Sequence, residues 1–334
     1  MKALIATAYG DVDKLTVADV PERQIGPGDV KVKVHAASIN PMDWKLLSGQ
    51  ARTVMQLHFP AILGRDVSGD VLEVGRDVKS LRRGDHVLGL AVSTFAEYVV
   101  AAENVWAKVP TGLDPLAAAA LPLVTLTGAQ LADAVAPRPG LSILVTGAVG
   151  GVGRSAVFVA KAAGAIAWAG VRTQQKEAAR LVGADHVVAI DDDQEIAKLP
   201  AFDAICDTVS GDTIAKLLSR LKPGGVLGSV LGEPPSAKER GVKTIAIRVQ
   251  PDPTGLRTWL RPRPRNDLSF RSSARFRLSK RPRRSDWHAA ALSGRCCCGR
   301  RRNQRHTDWL LFGPAIMRSE EELRWLNWTA KWRS

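Results

Sequence analysis

The sequence has few cysteines and no long apolar run. No stretch of eighteen consecutive apolar residues occurs among its 334 residues, so we expect no membrane-spanning helix. The first ten residues, MKALIATAYG, lack the layout of a secretory signal peptide and predict a first β-strand. The four cysteines are Cys206 and the triplet Cys296, Cys297 and Cys298, and three adjacent cysteines are not a disulfide framework. We therefore expect a protein of the reducing cytoplasm.

Metal ligands at a usable spacing are also missing. Tetrahedral zinc needs three or four converging Cys, His or carboxylate ligands. The six histidines are scattered along the chain, and Cys206 lies in a predicted buried strand. The sequence therefore predicts no metal site and favours structural roles for the histidines.

Acidic residues are scarce in one part of the chain only. The formal net charge is +14, and residues 257–334 hold 20 basic and 6 acidic residues. Residues 1–256 hold 27 of each, so this body of the chain is neutral. A basic nucleic-acid-binding face is therefore not expected over the body.

The clearest motif is LSILVTGAVGGVG at residues 141–153. It predicts a buried strand at 142–146, a glycine turn and then a helix at 151–163. In this arrangement a pyrophosphate approaches main-chain N–H groups at a helix N-terminus. Strand and helix signals then alternate, with strands at 165–170, 186–190, 202–207 and 225–230 and helices at 174–182, 193–198 and 211–220. This alternation favours a doubly wound parallel sheet that binds a dinucleotide over an ordinary glycine-rich turn.

Short alternating runs separated by glycine and proline turns fill residues 1–110. The strands are predicted at 2–7, 15–20, 30–37, 67–74, 86–90 and 95–100. Such runs predict a mostly antiparallel, barrel-like domain. Residues 114–136 predict a helix that is interrupted at Pro122. We place the domains at 1–120, 121–250 and 251–334, the last being a return segment and a tail.

The body of the chain resembles a known family. The residues that carry the resemblance are VKVHAASINPMDWKLLSG at 32–49, FPAILGRDVSGDVLEVG at 59–75, AAALPLVTLTGAQ at 118–130, VTGAVGGVG at 145–153 and FDAICDTVSGDT at 202–213. In this order and spacing, residues 1 to about 256 resemble the zinc-independent medium-chain dehydrogenase/reductases of the quinone oxidoreductase-like (zeta-crystallin-like) branch. The resemblance implies an α/β fold with a GroES-like, mostly-β barrel domain and a Rossmann domain. It also implies an active site in the cleft between them, and a homodimer.

The resemblance bears on zinc as well. Zinc-dependent members carry a Cys on the loop that holds Asn40 and Pro41 here, and a Gly-His-Glu where this chain has Gly64, Arg65 and Asp66. Neither ligand set is present, which implies chemistry without zinc. Reduction of a quinone or an activated C=C bond suits such a site, because conjugation carries the hydride's charge onto an oxygen that protein donors stabilise.

The usual acid of an NAD site, about 20 residues beyond the glycine turn, is missing. Residues 168–176, WAGVRTQQK, offer Arg172, Thr173 and Lys176 instead. These residues suit a 2′-phosphate and favour NADPH; the alternative is that they are solvated residues of the next helix's first turn. Thr127 matches the family's threonine near the nicotinamide, or is a helix residue that bonds its own backbone. The predicted cofactor-binding residues are Thr127, Gly147, Gly150, Gly151, Val152, Gly153, Arg172, Thr173, Lys176 and Arg248.

A substrate loop is expected at residues 39–45, INPMDWK. In quinone oxidoreductases that resemble this chain, the Asn and Asp at the positions of Asn40 and Asp43 line the nicotinamide pocket. A Tyr often stands at the position of Lys45. Two hypotheses remain open for Lys45: it holds the developing oxyanion, or it covers the rim of the cleft. The predicted catalytic residues are therefore Asn40, Asp43 and Lys45.

The last 78 residues, 257–334, depart from the family. They contain no Val or Tyr, one Ile, six of the nine Trp and three of the four Cys, a composition that does not suit the family's returning strands. We interpret this tail as a frameshift just before Arg257, since GC-rich coding sequence read out of frame yields Arg, Pro, Trp and Cys. The rival hypothesis is an evolved basic arm that binds nucleic acid. We expect 257–334 to be mostly disordered, apart from a short helix at 319–328, and the chain as written to be unstable or poorly active.

These features together predict an enzyme that transfers hydride from NADPH to a quinone or to the activated C=C bond of an α,β-unsaturated carbonyl. The expected partner is a small-molecule substrate, with no membrane or nucleic acid partner for the body. The alternative is a redox sensor that holds NADPH without turnover.

Overall fold

The computed structural model describes residues 1–260 and the backbone of residues 316–318. The strands are β1 (Lys2–Ala6), β2 (Leu15–Asp19), β3 (Asp29–Ser38), β4 (Ala61–Ile62), β5 (Asp66–Val74), β6 (His86–Leu90), β7 (Tyr98–Ala102), β8 (Trp106–Lys108), β9 (Ser142–Thr146), β10 (Ile166–Val171), β11 (His186–Ala189), β12 (Phe202–Asp207), β13 (Leu221–Ser229), β14 (Lys243–Ala246) and β15 (Ile316–Arg318). The helices are α1 (Pro41–Leu47), α2 (Pro115–Ala118), α3 (Pro122–Ala134), α4 (Gly151–Ala162), α5 (Lys176–Ala179), α6 (Asp193–Ala197), α7 (Gly211–Leu217), α8 (Pro235–Glu239) and α9 (Pro253–Trp259).

The second half of the body is a six-stranded sheet in the order β11-β10-β9-β12-β13-β14, and every pairing in it is parallel. From β9 the chain continues to β10 and β11 on one side of β9, and then crosses to β12 on the other side. The carboxyl ends of β9 and β12 therefore border the crevice in which doubly wound sheets bind ligands. The expected doubly wound sheet is confirmed. The strand prediction missed β14 and began β13 four residues late.

Apolar residues explain why these strands are central. Ile143, Leu144 and Val145 of β9 are completely buried, as is Ile205 of β12. A strand covered on both faces is a continuous apolar run. Cys206, next on β12, is also fully buried, and burial raises the pKa of its thiol to about 12.

The first half is mostly antiparallel, as the GroES-like expectation requires. One sheet has the order β2-β1-β4, and a second has the order β15-β3-β5-β6-β8, with β7 also paired to β3. Buried and less buried side chains alternate along most of β3, because one face covers a valine-rich core. The β3–β5 register sets Ser38 opposite Asp66 where β3 ends. This pairing places two polar side chains at the edge of the candidate site.

Two proline-started helices connect the halves. Pro115 and Pro122 stand at the starts of α2 and α3, so the interruption predicted at Pro122 is confirmed. Helix α3 lies unusually close to α4 at Gly128, where an added Cβ would be 2.4 Å from the Val152 carbonyl oxygen. This contact ties α3 to the glycine turn of the Rossmann domain.

The tail was expected to be mostly disordered from residue 257 onward, and the described structure continues four residues past this boundary. Helix α9 continues to Trp259, with Leu256 and Leu260 buried and the Trp259 ring edge-on to Phe158 at 5.9 Å. Strand β15 pairs antiparallel with β3, with Ile316 opposite Ser38. The other residues of the tail, including the helix expected at 319–328, lie outside the described residues. No helix in the described part of the chain is long and apolar enough to cross a membrane.

Candidate active site

The glycine turn after β9 is tightly packed. Gly147 has a φ of +63°, and the Gly150 N–H donates to the Gly147 carbonyl at 2.9 Å. An added Cβ at Gly153 would lie 2.4 Å from that same carbonyl oxygen, so a side chain there forces the turn open. The predicted glycines and Val152 thus share one loop and one helix start.

The N-terminus of α4 faces this turn. Because the helix begins at Gly151, its first N–H groups have no acceptor within the helix. They carry partial positive charge and suit a pyrophosphate. These residues fit the dinucleotide that the sequence predicts.

A buried carboxylate missed by the sequence prediction organises the crevice. Asp207, the last residue of β12, is 0% exposed. Its Oδ1 accepts hydrogen bonds from Thr146 Oγ1 at 3.0 Å and from the Val209 and Ser210 N–H groups at 3.1 and 3.0 Å. Its Oδ2 accepts one from Ser229 Oγ at 3.0 Å. Asp207 therefore joins the carboxyl ends of three neighbouring strands. Its position at the end of a predicted strand is the sequence signal for it, whereas its partners on β9 and β13 follow from the fold.

The residues predicted to bind a 2′-phosphate lie together after β10, but two of them have partners. The Thr173 N–H and Oγ1 both donate to Asp191 Oδ1, at 2.8 and 2.9 Å. Lys176 Nζ pairs with Glu195 at 2.7 Å. The exposed Arg172 guanidinium forms no ion pair within residues 1–260. Arg172 is thus the available cation of the three.

The predicted substrate loop is largely helical. Residues 41–47 form α1, with Asn40 as the N-cap residue and Pro41 in the first turn. The Asn40 N–H donates to Asp43 Oδ2 at 2.7 Å, and the Gly64 N–H donates to Asp43 Oδ1 at 3.2 Å. The Asp43 carboxylate therefore holds backbone groups, and burial raises its pKa to about 7. The structure brings Asn40 and Asp43 together.

The Asn40 side chain is anchored to a second buried acid, which the sequence prediction also missed. Asn40 Nδ2 donates to Asp66 Oδ2 at 2.9 Å and to Ser38 Oγ at 3.2 Å. Asp66 is 0% exposed, and burial raises its pKa to about 6 against the lowering effect of these hydrogen bonds. Its position after Gly64 and Arg65 is the only sequence signal that could have found it.

The remaining predicted residues are more dispersed. Lys45 lies on α1 and forms no ion pair within the described part of the chain. Thr127 is 9% exposed on α3. Arg248 is exposed on a segment that is held to α3 by two hydrogen bonds between the Gln130 side chain and the Gln250 backbone. No described contact joins Arg248 to the glycine turn. Within residues 1–260, no group of three or more His, Cys, Asp or Glu side chains is arranged to hold a metal ion.

Comparison with known families gives two matches. The family model for the alcohol dehydrogenase GroES-like domain matches residues 26–111. The model for zinc-binding dehydrogenase matches residues 151–249.

Several characterised proteins are similar to the chain. The mitochondrial NAD(P)H oxidoreductase RTN4IP1 of Mus musculus is 36% identical over 220 residues, covering 59% of this chain and 56% of that protein. The chain thus spans little more than half the length of that relative. The chloroplast envelope quinone oxidoreductase homolog of Arabidopsis thaliana is 32% identical over 265 residues, covering 74% of this chain and 80% of that protein. The solved quinone oxidoreductase of Coxiella burnetii has a TM-score of 0.71 at 26% identity, covering 84% of this chain and 92% of its own.

Proposed function

The chain belongs to the medium-chain dehydrogenase/reductase family, in its quinone oxidoreductase-like branch, and from that premise we propose that it is an NADPH-dependent reductase. Its substrate is a quinone or the activated C=C bond of an α,β-unsaturated carbonyl, and no zinc takes part. The observation that carries the proposal is the glycine turn at the sheet crevice with Arg172, and no acid, at the end of the next strand.

The chain's own residues would bind and orient the cofactor. The first N–H groups of α4 receive the pyrophosphate, and Arg172 receives the 2′-phosphate. Thr127 and Asn40 flank the nicotinamide end, as the resemblance implies. The bound nicotinamide supplies the hydride, and the protein supplies orientation and a polar environment.

The substrate oxygen needs a donor once hydride has arrived at the conjugated system. Lys45 is the cationic side chain of α1 and has no ion-pair partner in the described part of the chain. We therefore favour Lys45 as the group that stabilises the developing negative charge. Asp43, whose carboxylate accepts two backbone hydrogen bonds, serves this site by holding Asn40 and Gly64 in place.

The test is NADPH oxidation followed at 340 nm with a panel of quinones and enones. We expect turnover with at least one acceptor, at the low level predicted for a chain with this tail, and a fall in kcat of about 10- to 100-fold for Lys45→Met. The matched control is Lys33→Met, which removes an exposed lysine of β3. Saturable NADPH binding without turnover on any acceptor of the panel would instead favour the redox sensor.

The remaining assignments follow from the same proposal. A cytoplasmic location stays a prediction. Two of the similar proteins are named for other compartments, one for the mitochondrion and one for the chloroplast envelope. Cell fractionation tests it. The homodimer is tested by light scattering of the purified chain, and binding of the tail to nucleic acid is tested by a mobility shift over a salt series.

A further inference from the structure

A single buried carboxylate joins the substrate segment to the helix that carries Thr127. Besides its bond to Asn40, Asp66 Oδ2 accepts a hydrogen bond from Ser38 Oγ at 2.6 Å. Asp66 Oδ1 accepts one from the Leu123 N–H at 2.7 Å. The two oxygens of one side chain therefore hold β3 and Asn40 on one side and the start of α3 on the other.

The bond to Leu123 suits both partners. Leu123 lies in the first turn of α3, where N–H groups have no acceptor within the helix. A carboxylate there satisfies this donor and interacts favourably with the positive end of the helix. Thr127 follows Leu123 by four residues, so both lie on the same face of α3.

Two other charged groups act on Asp66. The Arg65 guanidinium lowers its pKa, while the carboxylates of Asp66 and Asp43 repel each other. Asp66 itself is fully buried and touches no solvent, so a substrate does not reach it. Any effect of Asp66 on the reaction must pass through its neighbours, which are Asn40 and Ser38, the start of α3, and the charged Asp43 and Arg65.

We propose that Asp66 is a positioning residue that sets the spacing between Asn40 on the substrate segment and Thr127 on α3. The inference rests on the proposed function, which takes Asn40 and Thr127 as two sides of the nicotinamide pocket. Misplacement of a reacting group by about 1 Å costs about 10²-fold in rate. A single carboxylate that is hydrogen-bonded both to Asn40 and to the start of α3 restricts the movement of these two segments relative to each other.

The test variant is Asp66→Asn. The Asn side chain keeps the volume of Asp, but its amide nitrogen is itself a donor. At least one of the three donors, Ser38 Oγ, Asn40 Nδ2 or the Leu123 N–H, then faces an N–H group, and its hydrogen bond is lost. Ser38→Ala removes one donor and leaves the other two bonds in place. The matched control is Asp203→Asn, at the amino end of β12, where the carboxylate accepts a bond from the Ser142 N–H at 2.9 Å and pairs with Lys222 at 2.8 Å.

Hydrogen exchange is the first measurement, because it requires no turnover. In Asp66→Asn we expect faster exchange in residues 38–47 and at Leu123, with strands β9 and β12 unchanged. Asp203→Asn should alter exchange near Ser142 only. Unchanged exchange in 38–47 and at Leu123 would overturn the proposal whether or not the protein is a reductase.

Steady-state kinetics is the second measurement. For Asp66→Asn we expect kcat to fall about 30- to 100-fold while the Kd for NADPH stays within about twofold. Ser38→Ala should lower kcat about 3- to 10-fold, and the double variant should be no slower than Asp66→Asn, since both act through one carboxylate. An unchanged kcat in Asp66→Asn, or additive losses in the double variant, would overturn the positioning role. If the wild-type protein shows no turnover, the proposed function is refuted. The hydrogen-exchange result still tests the positioning role of Asp66, because that measurement needs no turnover.

Discussion

Replacement of Arg172 by alanine tests the cofactor assignment most directly. Arg172 is exposed just beyond β10, and its neighbours Thr173 and Lys176 are already bonded to Asp191 and Glu195. A 2′-phosphate at this site therefore depends mainly on Arg172. Loss of a charge-assisted hydrogen bond costs about 1.5–3 kcal/mol, which corresponds to a rise of about 10- to 150-fold in the Kd for NADPH.

Asp191 provides the opposite perturbation. Its Oδ1 already accepts both Thr173 donors, which a phosphate oxygen would use. Two unit charges about 6 Å apart in water repel by about 0.7 kcal/mol. Asp191→Asn should therefore tighten NADPH about 3- to 10-fold, because it removes this repulsion and weakens the hold on Thr173.

The assay is equilibrium titration of nicotinamide fluorescence, without any acceptor. NADPH and NADH are measured side by side, and the Kd for NADH should stay within about twofold in both variants. Arg180→Ala, which removes an exposed arginine paired with Glu177, is the matched control and should leave both cofactors unaffected. An equal loss of NADPH and NADH affinity in Arg172→Ala would refute the assignment of Arg172 to the 2′-phosphate.

Three further predictions concern stability and the glycine turn. Burial raises the pKa of Asp43 to about 7 and of Asp66 to about 6 from 3.8, so the folded state holds these protons more tightly than the unfolded chain and loses stability as pH rises from about 4 to about 7. In urea unfolding, the free energy of unfolding of the wild type should fall by about 3 kcal/mol relative to that of Asp66→Asn over this range. A difference between the two proteins that stays constant with pH would contradict the raised pKa. Gly153→Ala should weaken NADPH at least about 10-fold, because its Cβ would lie 2.4 Å from the Gly147 carbonyl oxygen, whereas Gly28→Ala meets nothing within 4 Å and is the control. In a chain that ends at residue 260, residues 36–38 should exchange hydrogen faster than in the full chain, since β15 pairs with them; equal exchange would argue against that pairing.

Elements built from local patterns could be predicted from the sequence. Strands β9 and β12 have the predicted bounds, because apolar runs between turn residues mark a strand covered on both faces. Helix α1 was missed although Asn40 and Pro41 are typical helix-start residues. The family resemblance instead implied a substrate loop at residues 39–45.

Features that depend on neighbours distant in the chain could not be predicted in this way. Asp66 and Asp207 are acids, which a sequence pattern places at the surface, yet both are fully buried because several donors converge on them. Asp191 follows β11 and meets Thr173 after β10 only because the two strands are adjacent in the sheet. The order of strands, and with it such partners, is a property of the whole fold.

The burial of Cys206 has a consequence for the chemistry that the protein tolerates. Quinones and enones are electrophiles that alkylate thiolates, and the thiolate, not the thiol, is the reactive form. Residues 1–260 contain this one cysteine, which is 0% exposed and whose pKa is raised to about 12. Residues 1–260 thus present no reactive thiolate to the compounds that the protein is proposed to reduce, and a reactive acceptor can occupy the cleft without alkylating a thiol there.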